Sequence, residues 1–565
     1  MRVLPDVAAL EKTFDYTVPD GWDAPVGTLV RVPLHGRRVG GWVVADGVTP
    51  PAGVALRPLA KITGCGPPAD LVDLARWAAW WWAGPVRAVL RSASPPGAVR
   101  GLPAPAPAAP AAAATGDDDG LAAEALACDR AVVRLPPAAD PFPFVAAAAG
   151  RGDALVLAPS VGAAGLLAAR LRRSGRAVAV VPRDWARAAA GGSVVVGARA
   201  AAWGPLPVPA AVVVLDAHDE AYREERSPTW SAWEVAAERA RRAGVPCVVL
   251  SPCPTLEQLA WGRLLAPSRA TERAGWPVVE VVDQRRADPR TGLYSDRLVA
   301  LVRGGGRVAC ILNRTGRAQL LACRACGEVL RCERCGGGMA QGDGDALRCR
   351  WCREERPALC QACGSTALRR LRPGVTRVRE ELEALAGREV AEVTGRTEEP
   401  PGAGVLVGTE ALLHRLDRAD AVVFLEFDQE LLAARFRAAE QALALLARAA
   451  RLVGGRDGGG RVVVQTRAAG HDVLRAAVLA DPGRLVAAEV ERRRDLRLPP
   501  AGALALVSGD AEAFVASLPD DVEALGPADG RWLVRAADRA VLARALASVP
   551  RTGARLRVEV DPARV

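Results

Sequence analysis

Lysine is nearly missing from this chain. It occurs only at Lys12 and Lys61 in 565 residues, although Lys and Arg together number 74, so arginine carries almost all of the positive charge. A phosphate-binding loop of the pattern G-x-x-x-x-G-K-S/T needs a lysine, so such a loop is excluded beyond Lys61, and the pattern occurs nowhere in the sequence. Long uncharged apolar runs are also missing, which excludes a bilayer-spanning helix, and no stretch has the make-up of a secretory signal. A cytosolic chain is expected. Large aromatics are scarce outside one tryptophan-rich patch, and the apolar half of the composition rests on alanine and valine. The length is too great for one core, so three or four domains are expected.

What the sequence does have is cysteine in one place. Between Cys323 and Cys363 lie four C-x-x-C knuckles: Cys323/Cys326, Cys332/Cys335, Cys349/Cys352 and Cys360/Cys363. Eight thiolates are the number that two tetrahedral four-cysteine zinc sites require, and a C-x-x-C turn delivers two from one tight loop. Disulfides or spare reduced thiols are the bland alternatives. Five residues between the first two knuckles make a tight span, whereas thirteen between Cys335 and Cys349 allow a ribbon hairpin. That favours nesting: Cys323, Cys326, Cys360 and Cys363 on one zinc, and Cys332, Cys335, Cys349 and Cys352 on the other. With no histidine or carboxylate in the set, both sites read as closed and structural. Cys65, Cys128, Cys247, Cys253 and Cys310 lack ligand spacing and suit reduced, buried thiols. Each four-thiolate zinc site carries −2, so two of them take the formal charge from +10 to +6, which leaves a basic chain suited to a nucleic-acid partner.

Taken in order, residues 1–98 alternate short apolar runs (Thr28–Pro33, Val39–Ala45) with turn signals and read as a β-rich unit closed by a helix over Asp70–Ala83. Trp77, Trp80, Trp81 and Trp82 on that helix are read as core in preference to a base-stacking stripe. Residues 99–120 are an Ala/Pro-rich linker. Residues 121–300 alternate β-branched runs (Ala154–Ala158, Ala177–Val181, Ser193–Val196, Ala211–Leu215, Val245–Leu250) with helical patterns, the signature of a parallel α/β sheet. A second such unit occupies 301–322 and 364–487, interrupted by the cysteine segment 323–363. Residues 488–565 read as a small α+β unit, opening on a run whose Arg492–Arg494 either touch phosphates or form a solvated helix face.

The order of motifs resembles the PriA family of bacterial primosomal replication-restart helicases, also called primosomal protein N′. The resemblance rests on KTFDY at Lys12–Tyr16, VGARAAAW at Val196–Trp203, SPCPTLE at Ser251–Glu257 and ILNRTGRA at Ile311–Ala318. It continues with the eight cysteines, GTEALLHR at Gly408–Arg415, the Phe436–Glu440 segment and the LPP at Leu498–Pro500. It implies a β-rich DNA-binding domain, two RecA-like helicase lobes, a zinc-ribbon insertion in the second lobe and a small α+β C-terminal domain. It implies binding of the nascent 3′ end by Phe14, Asp15 and Tyr16, with Gly36 nearby and Arg57 where the family has lysine. It also implies forked or 3′-ended DNA, primosome and helicase-loading components and single-stranded DNA-binding protein as partners, no membrane, and the same nested pairing for two zinc ions.

The motor parts of that family are degenerate here. Its phosphate loop aligns with Arg130–Pro137, placing Pro136 and Pro137 at the lysine and hydroxyl positions. Its DEEH motif falls on Leu215, Asp216, Ala217 and His218, and its arginine-finger segment falls on Arg448–Gly455, with Leu452 and Gly455 at the arginine positions. The expectation is a replication-restart factor that recognises stalled forks and promotes primosome assembly without ATP-driven unwinding, and so without a role for ATP or Mg2+. An active 3′-to-5′ helicase with an unconventional nucleotide site, and a zinc-ribbon scaffold that no longer touches DNA, are the alternatives. The winged-helix module of the family has no counterpart beyond the Ala/Pro linker.

Overall fold

Alternation of apolar and polar residues in the first sixty or so positions builds a six-stranded sheet. Its strands are β1 (Arg2–Pro5), β2 (Phe14–Thr17), β3 (Leu29–Leu34), β4 (Arg37–Ala45), β5 (Arg57–Pro58) and β6 (Lys61–Gly64), in the order β5-β2-β1-β4-β3-β6. One face gathers Val3, Tyr16, Val30, Val32, Val43 and Leu59. The other sends Leu4, Trp42 and Val44 against the helices Ala69–Trp81 and Val86–Ala93, and Trp42 Nε1 donates to Ser94 Oγ at 2.9 Å. The computed structural model describes the chain apart from residues 9, 51–52, 54, 108–119, 286–292, 314–320, 342–345, 350–351, 371–374, 394–396, 398–401, 552–554 and 564–565.

Next come β7 (Arg130–Arg134), β8 (Ala154–Leu157), β9 (Val178–Val180), β10 (Val194–Gly197), β11 (Ala211–Val214), β12 (Cys247–Ser251) and β13 (Arg263–Leu265). They form a sheet in the order β13-β7-β12-β11-β8-β10-β9, with parallel ladders and fully buried central strands. The third sheet holds β14 (Val278–Asp283) and β15 (Val308–Ile311). The cysteine segment follows with β16 (Leu321–Cys323), β17 (Met339–Gln341), β18 (Ala346–Cys349), β19 (Glu355–Pro357) and β20 (Leu368–Arg370). The third sheet then resumes with β21 (Val390–Val393), β22 (Val405–Gly408), β23 (Ala421–Phe424) and β24 (Arg461–Thr466), in the order β14-β24-β23-β15-β22-β21. Counting strands within each sheet, the second reads 7-1-6-5-2-4-3 and the third 1-6-5-2-4-3. The two sheets thus share one topology, that of paired RecA-like lobes, and the cysteine segment enters the second lobe after its second strand.

The chain ends in a four-stranded antiparallel sheet of β25 (Ala503–Ser508), β26 (Val522–Ala528), β27 (Arg531–Ala536) and β28 (Arg557–Val560), ordered β26-β27-β25-β28. Two compact units result. The first comprises Met1–Val133, Asp140–Leu265 and Arg493–Pro562; the second is built chiefly from Ala266–Arg492 and includes Arg134–Ala139. Within the first, one apolar cluster runs from Trp42 and Trp82 through Leu155, Val195, Trp203 and Trp230 to Val507, Phe514 and Leu542. Three of the four tryptophans of the stripe belong to it: Trp82 is buried, Trp77 stacks on Trp81 at 5.7 Å, and Trp81 Nε1 donates to Glu234 at 3.2 Å, while Trp80 meets Trp81 at its edge.

Two expected boundaries move. β14 pairs with β24 over six residues, so the second lobe begins before Val278 and not at residue 301. The helix Gly483–Asp495 runs through residue 488. Neither shift is marked by a change in composition. The start of the expected linker is docked, Ala106 N–H donating to Gly191 O at 3.2 Å, while 108–119 lie outside the described residues. No helix among the described residues is long and apolar enough to cross a membrane.

His471 caps the helix Asp472–Val478 in the second unit, its Nδ1 accepting from Val473 N–H at 3.3 Å. Burial, aided by Arg331 and Arg492 and opposed by Asp472, draws its pKa down to about 4. A base with a depressed folded pKa loses stability as pH falls, because the unfolded chain takes the proton first, near 6.5. Between pH 6.5 and about 4 the second unit should therefore lose up to ~3 kcal/mol, and His471→Asn should abolish that dependence in denaturant titrations run across this window.

Candidate metal centres and nucleic-acid interface

The eight cysteines fall into two groups, Cys323/Cys326/Cys360/Cys363 and Cys332/Cys335/Cys349/Cys352, and within each the four sulfurs lie within 4.8 Å of one another. The nearest pairs are Cys323–Cys363 and Cys326–Cys360 at 3.5 Å, and Cys332–Cys352 and Cys335–Cys349 at 3.4 Å. Sulfurs about 2.3 Å from a common ion stand about 3.8 Å apart at the corners of a tetrahedron. The first and last knuckles are brought together by the β16–β20 ladder, where Cys323 faces Leu368. The middle two are joined through β17 and β18, where Met339 faces Cys349.

All four knuckles share one backbone pattern. The carbonyls of Cys323, Cys332, Cys349 and Cys360 accept from the N–H four residues on, and their own N–H groups donate to the carbonyl five residues on, at 2.7–3.1 Å. The turn requires a left-handed residue after the second cysteine. Gly327, Gly336 and Gly364 fill three such places, and Arg353 fills the fourth at φ 63°. The recurring C-x-x-C-G marks these positions in the sequence, although spacing alone does not reveal what they do.

The thiols themselves fit a cation. Burial opposes charge on Cys323, yet the N–H groups of Cys326 and Ala325 outweigh it and bring the thiol down to about 7. The Glu328 N–H favours a thiolate at Cys326, but burial and the sulfurs of Cys363, Cys360 and Cys323 oppose a second negative charge and push it up to about 12. Burial first, then crowding by Cys349, Cys352 and Cys332, pushes Cys335 up as well. Four thiolates this close need a positive ion among them, and either group could hold one.

On the first sheet, Tyr16 is buried in the core, its hydroxyl donating to Pro33 O at 3.2 Å, and Phe14 packs half-buried beside it. Burial raises the Tyr16 pKa and Arg57 opposes that shift; Arg57 is the register neighbour of Tyr16 across the parallel β2–β5 pair. Pro33 lies near the end of β3, just before the turn at His35 and Gly36, which sit at φ 45° and 75°. No atom lies within 4 Å of a Cβ built on Gly36, so backbone conformation, not space, favours glycine there. Asp15 alternates with its neighbours and faces away from them, in a two-pronged ion pair with Arg2 at 2.8 and 3.1 Å. The hydrogen bond from Arg2 holds its carboxyl below the usual range. The structure therefore brings Phe14, Tyr16 and Arg57 together, with Tyr16 bonded to Pro33 three residues before Gly36, and sets Asp15 apart with Arg2, a partner not apparent from the sequence.

The positions of the motor motifs are occupied by other contacts. Strand β7 covers Arg130–Arg134, so the loop after it is 135–141 and not the expected 130–137. The helix that follows, Phe142–Gly150, starts from Pro141 with a proline in its first turn, and its Phe142 N–H donates to Asp140 at 3.0 Å. A carboxylate, itself paired with Arg170, thus stands where a phosphate would have to approach. In the second unit, Pro137 O accepts from Arg451 Nε at 3.2 Å and Ala138 N–H donates to Gly275 O at 3.1 Å. Arg448 on the helix Ala438–Val453 meets His414 at 2.9 Å. After β11, Gln258 donates to Ala217 O at 2.7 Å and Tyr222 to Leu215 O at 2.6 Å, while His218 meets Ser251 at 2.9 Å.

With this geometry in hand, comparison with known proteins is decisive for the first 95 or so residues: the model of a 3′DNA-binding domain (3′BD) of PriA matches residues 2–95, the six-stranded sheet and its two helices. The chain is similar to PriA proteins of several bacteria. It is 29% identical to the replication restart protein PriA of Bacillus subtilis, with 56% of this chain and 43% of that protein covered. For the Synechocystis PriA the figures are 28%, 67% and 53%, and for the probable PriA of Mycobacterium tuberculosis 31%, 61% and 58%. The chain spans about half the length of these curated PriA proteins. Among solved structures, it is similar to a DEAD box protein from Methanococcus jannaschii (10% identity, TM-score 0.31, 65% and 86% of the chains). It is also similar to Saccharomyces cerevisiae Dbp5 bound to RNA and ADP BeF3 (11%, 0.34, 65% and 89%).

Arg353 offers a local test of the knuckle geometry. A side chain in the left-handed region costs ~1 kcal/mol or more relative to glycine. Arg353→Gly should therefore stabilise the Cys332/Cys335/Cys349/Cys352 centre by about 1 kcal/mol, seen as slower metal loss to a chelating competitor.

Proposed function

We propose that the chain is a DNA-binding replication-restart factor: it captures arrested nascent 3′ ends at stalled forks, holds two zinc ions, and promotes primosome assembly and loading of the replicative helicase without ATP-driven unwinding. The observation that carries this reading is the 3′DNA-binding domain match over residues 2–95, which coincides with a complete six-stranded sheet in which Phe14 and Arg57 both lie beside Tyr16. Phe14 supplies a partly open ring for the terminal base and Arg57 a cation for its phosphate, while Asp15, on the other face of β2 beside the sheet edge, offers an acceptor to the terminal sugar reaching around that edge once Arg2 yields. The all-thiolate donor sets suit zinc, and closed four-cysteine sites leave no open position for catalysis. The primosome and helicase-loading components and single-stranded DNA-binding protein are then the protein partners, and the cytoplasm the compartment.

The absence of unwinding is supported by the missing G-x-x-x-x-G-K-S/T pattern, the Asp140 carboxylate at the helix start, and the occupied Arg448 and Arg451. An active helicase would need a phosphate cradle that these residues do not make. The purified chain should bind forked DNA with a free 3′-hydroxyl more tightly than the same fork blocked by a 3′-phosphate. Asp15→Asn should reduce that preference by about tenfold, the size of one good hydrogen-bonded contact. Robust DNA-stimulated ATP hydrolysis by the wild-type chain, scaling with protein across purification, would sink the non-motor reading.

Metal content gives a separate check. Cys332→Ser or Cys349→Ser should lower zinc from two ions per chain to about one and impair partner recruitment more than 3′-end binding. Equal loss of both activities would point to global misfolding and count against separate roles for the two regions.

A further inference from the structure

On the face of the first sheet opposite Phe14 and Tyr16, beyond the part where Trp42 and Val44 pack on the helices, β3, β4 and β6 carry a row of cations to which the 3′-end reading assigns no role. Val30 and Val32 of β3 point into the core, and Arg31 between them points out. Register places Arg31 directly beside Lys61 of β6 on one side and Gly40 of β4 on the other. Arg38 lies two residues before Gly40 on the same face, facing Pro33. Arg31, Arg38, Lys61 and the adjoining Arg37 are all exposed. Neighbouring strands stand about 4.8 Å apart, and diagonal neighbours about 7–8 Å, within reach of side chains of this length.

Two observations separate this row from ordinary surface charge. Like charges directly across a strand pair are destabilising, yet the pair Arg31–Lys61 uses one of the two lysines in the chain. Moreover, among the described residues Arg31, Arg37, Arg38 and Lys61 have no ion pair, whereas Arg2, Arg87 and Arg91 of the same domain are matched to Asp15 or Asp6. Asp6 borders the row, its N–H donating to Gly40 O at 2.7 Å, but its carboxylate is already held by Arg91 at 2.7 Å and Arg87 at 3.6 Å. Gly40 has open space where a Cβ would stand, so the row is a flat shelf with cations on both sides.

We infer that Arg31, Lys61 and Arg38 form a phosphate-binding shelf for the sugar–phosphate backbone of a nucleic-acid strand, read without regard to sequence and separate from the 3′-end pocket. The inference rests on the DNA-binding reading above and adds a second contact surface to it. Backbone contacts of this kind position a strand while the terminal base is read elsewhere.

The test uses the full chain and a 5′-fluorescein oligothymidylate with either a 3′-hydroxyl or a 3′-phosphate, titrated across salt. Each neutralised phosphate contributes about 0.7 to the slope of log K against log salt for single strands. Arg31→Gln with Lys61→Gln should lower that slope by about 1.4, equally for both oligonucleotides. The variant should melt no lower than wild type, because a repelling pair has been removed, and Arg31→Lys alone should keep the wild-type slope. An unchanged slope in the double variant, a loss confined to the 3′-hydroxyl strand, or a lowered slope in Arg31→Lys would each overturn the shelf. So would tight, Arg31-dependent binding of polyglutamate with none of oligothymidylate. If wild type fails to discriminate the two 3′ ends while the double variant still lowers the slope, the end-reading function falls and the shelf stands. Absence of any DNA binding by wild type overturns both.

Discussion

Burial of the tryptophan-bearing helix Ala69–Trp81 is the constraint on which the first unit depends. Its apolar face enters a cluster that also takes in the interior of the seven-stranded sheet and the helix Arg539–Ser548 of the C-terminal domain. Arg539 lies over Trp81 at 5.3 Å, and Arg242 over Trp77 at 5.9 Å, so cations close the edges of the same aromatic group. A lobe sharing its core with the domains on either side has a structural reason to keep its shape whatever its loops carry. The sheet is held by valine and alanine strands, whereas phosphate chemistry depends on loops at their ends. Loops can lose glycine, lysine and acid without emptying the core.

The same division explains what was legible in the sequence. β-branched runs placed β8 to β12 of the first lobe to within two residues, because strands buried on both faces must be apolar throughout, whereas β7 and β13 at one end of that sheet and β21 at an edge of the third were not singled out. The cysteine pairing was legible because ligand number and loop length leave few solutions. β14 was missed because its VVEVVD alternates like a half-exposed strand, and its partner β24 lies far along the chain. The phosphate-loop position slipped because degenerate residues leave nothing to align, and only the end of β7 at Arg134 fixes where the loop begins.

At the candidate 3′-end site, sequence identified residue types and structure supplied their direction. FDYT names three adjacent candidates, yet strand alternation sends Phe14 and Tyr16 to one face and Asp15 to the other, where Arg2 holds it. Likewise, C-x-x-C names the ligands but not the left-handed residue that closes each turn, and Arg353 shows that the turn geometry is imposed even where glycine is absent.

The two-stranded stem of β16 and β20 fixes how the cysteine segment is carried. Leu321, Ala322 and Cys323 pair with Arg370, Arg369 and Leu368, so the segment leaves and re-enters its lobe at adjacent points. Seen from the parallel sheet, everything between those strands is a loop with joined ends, and lengthening such a loop adds only slowly to its closure entropy. The host lobe can therefore keep its strand order whatever is grafted on the stem. A module mounted in this way can change its surface, or its partner, without renegotiating the fold that bears it.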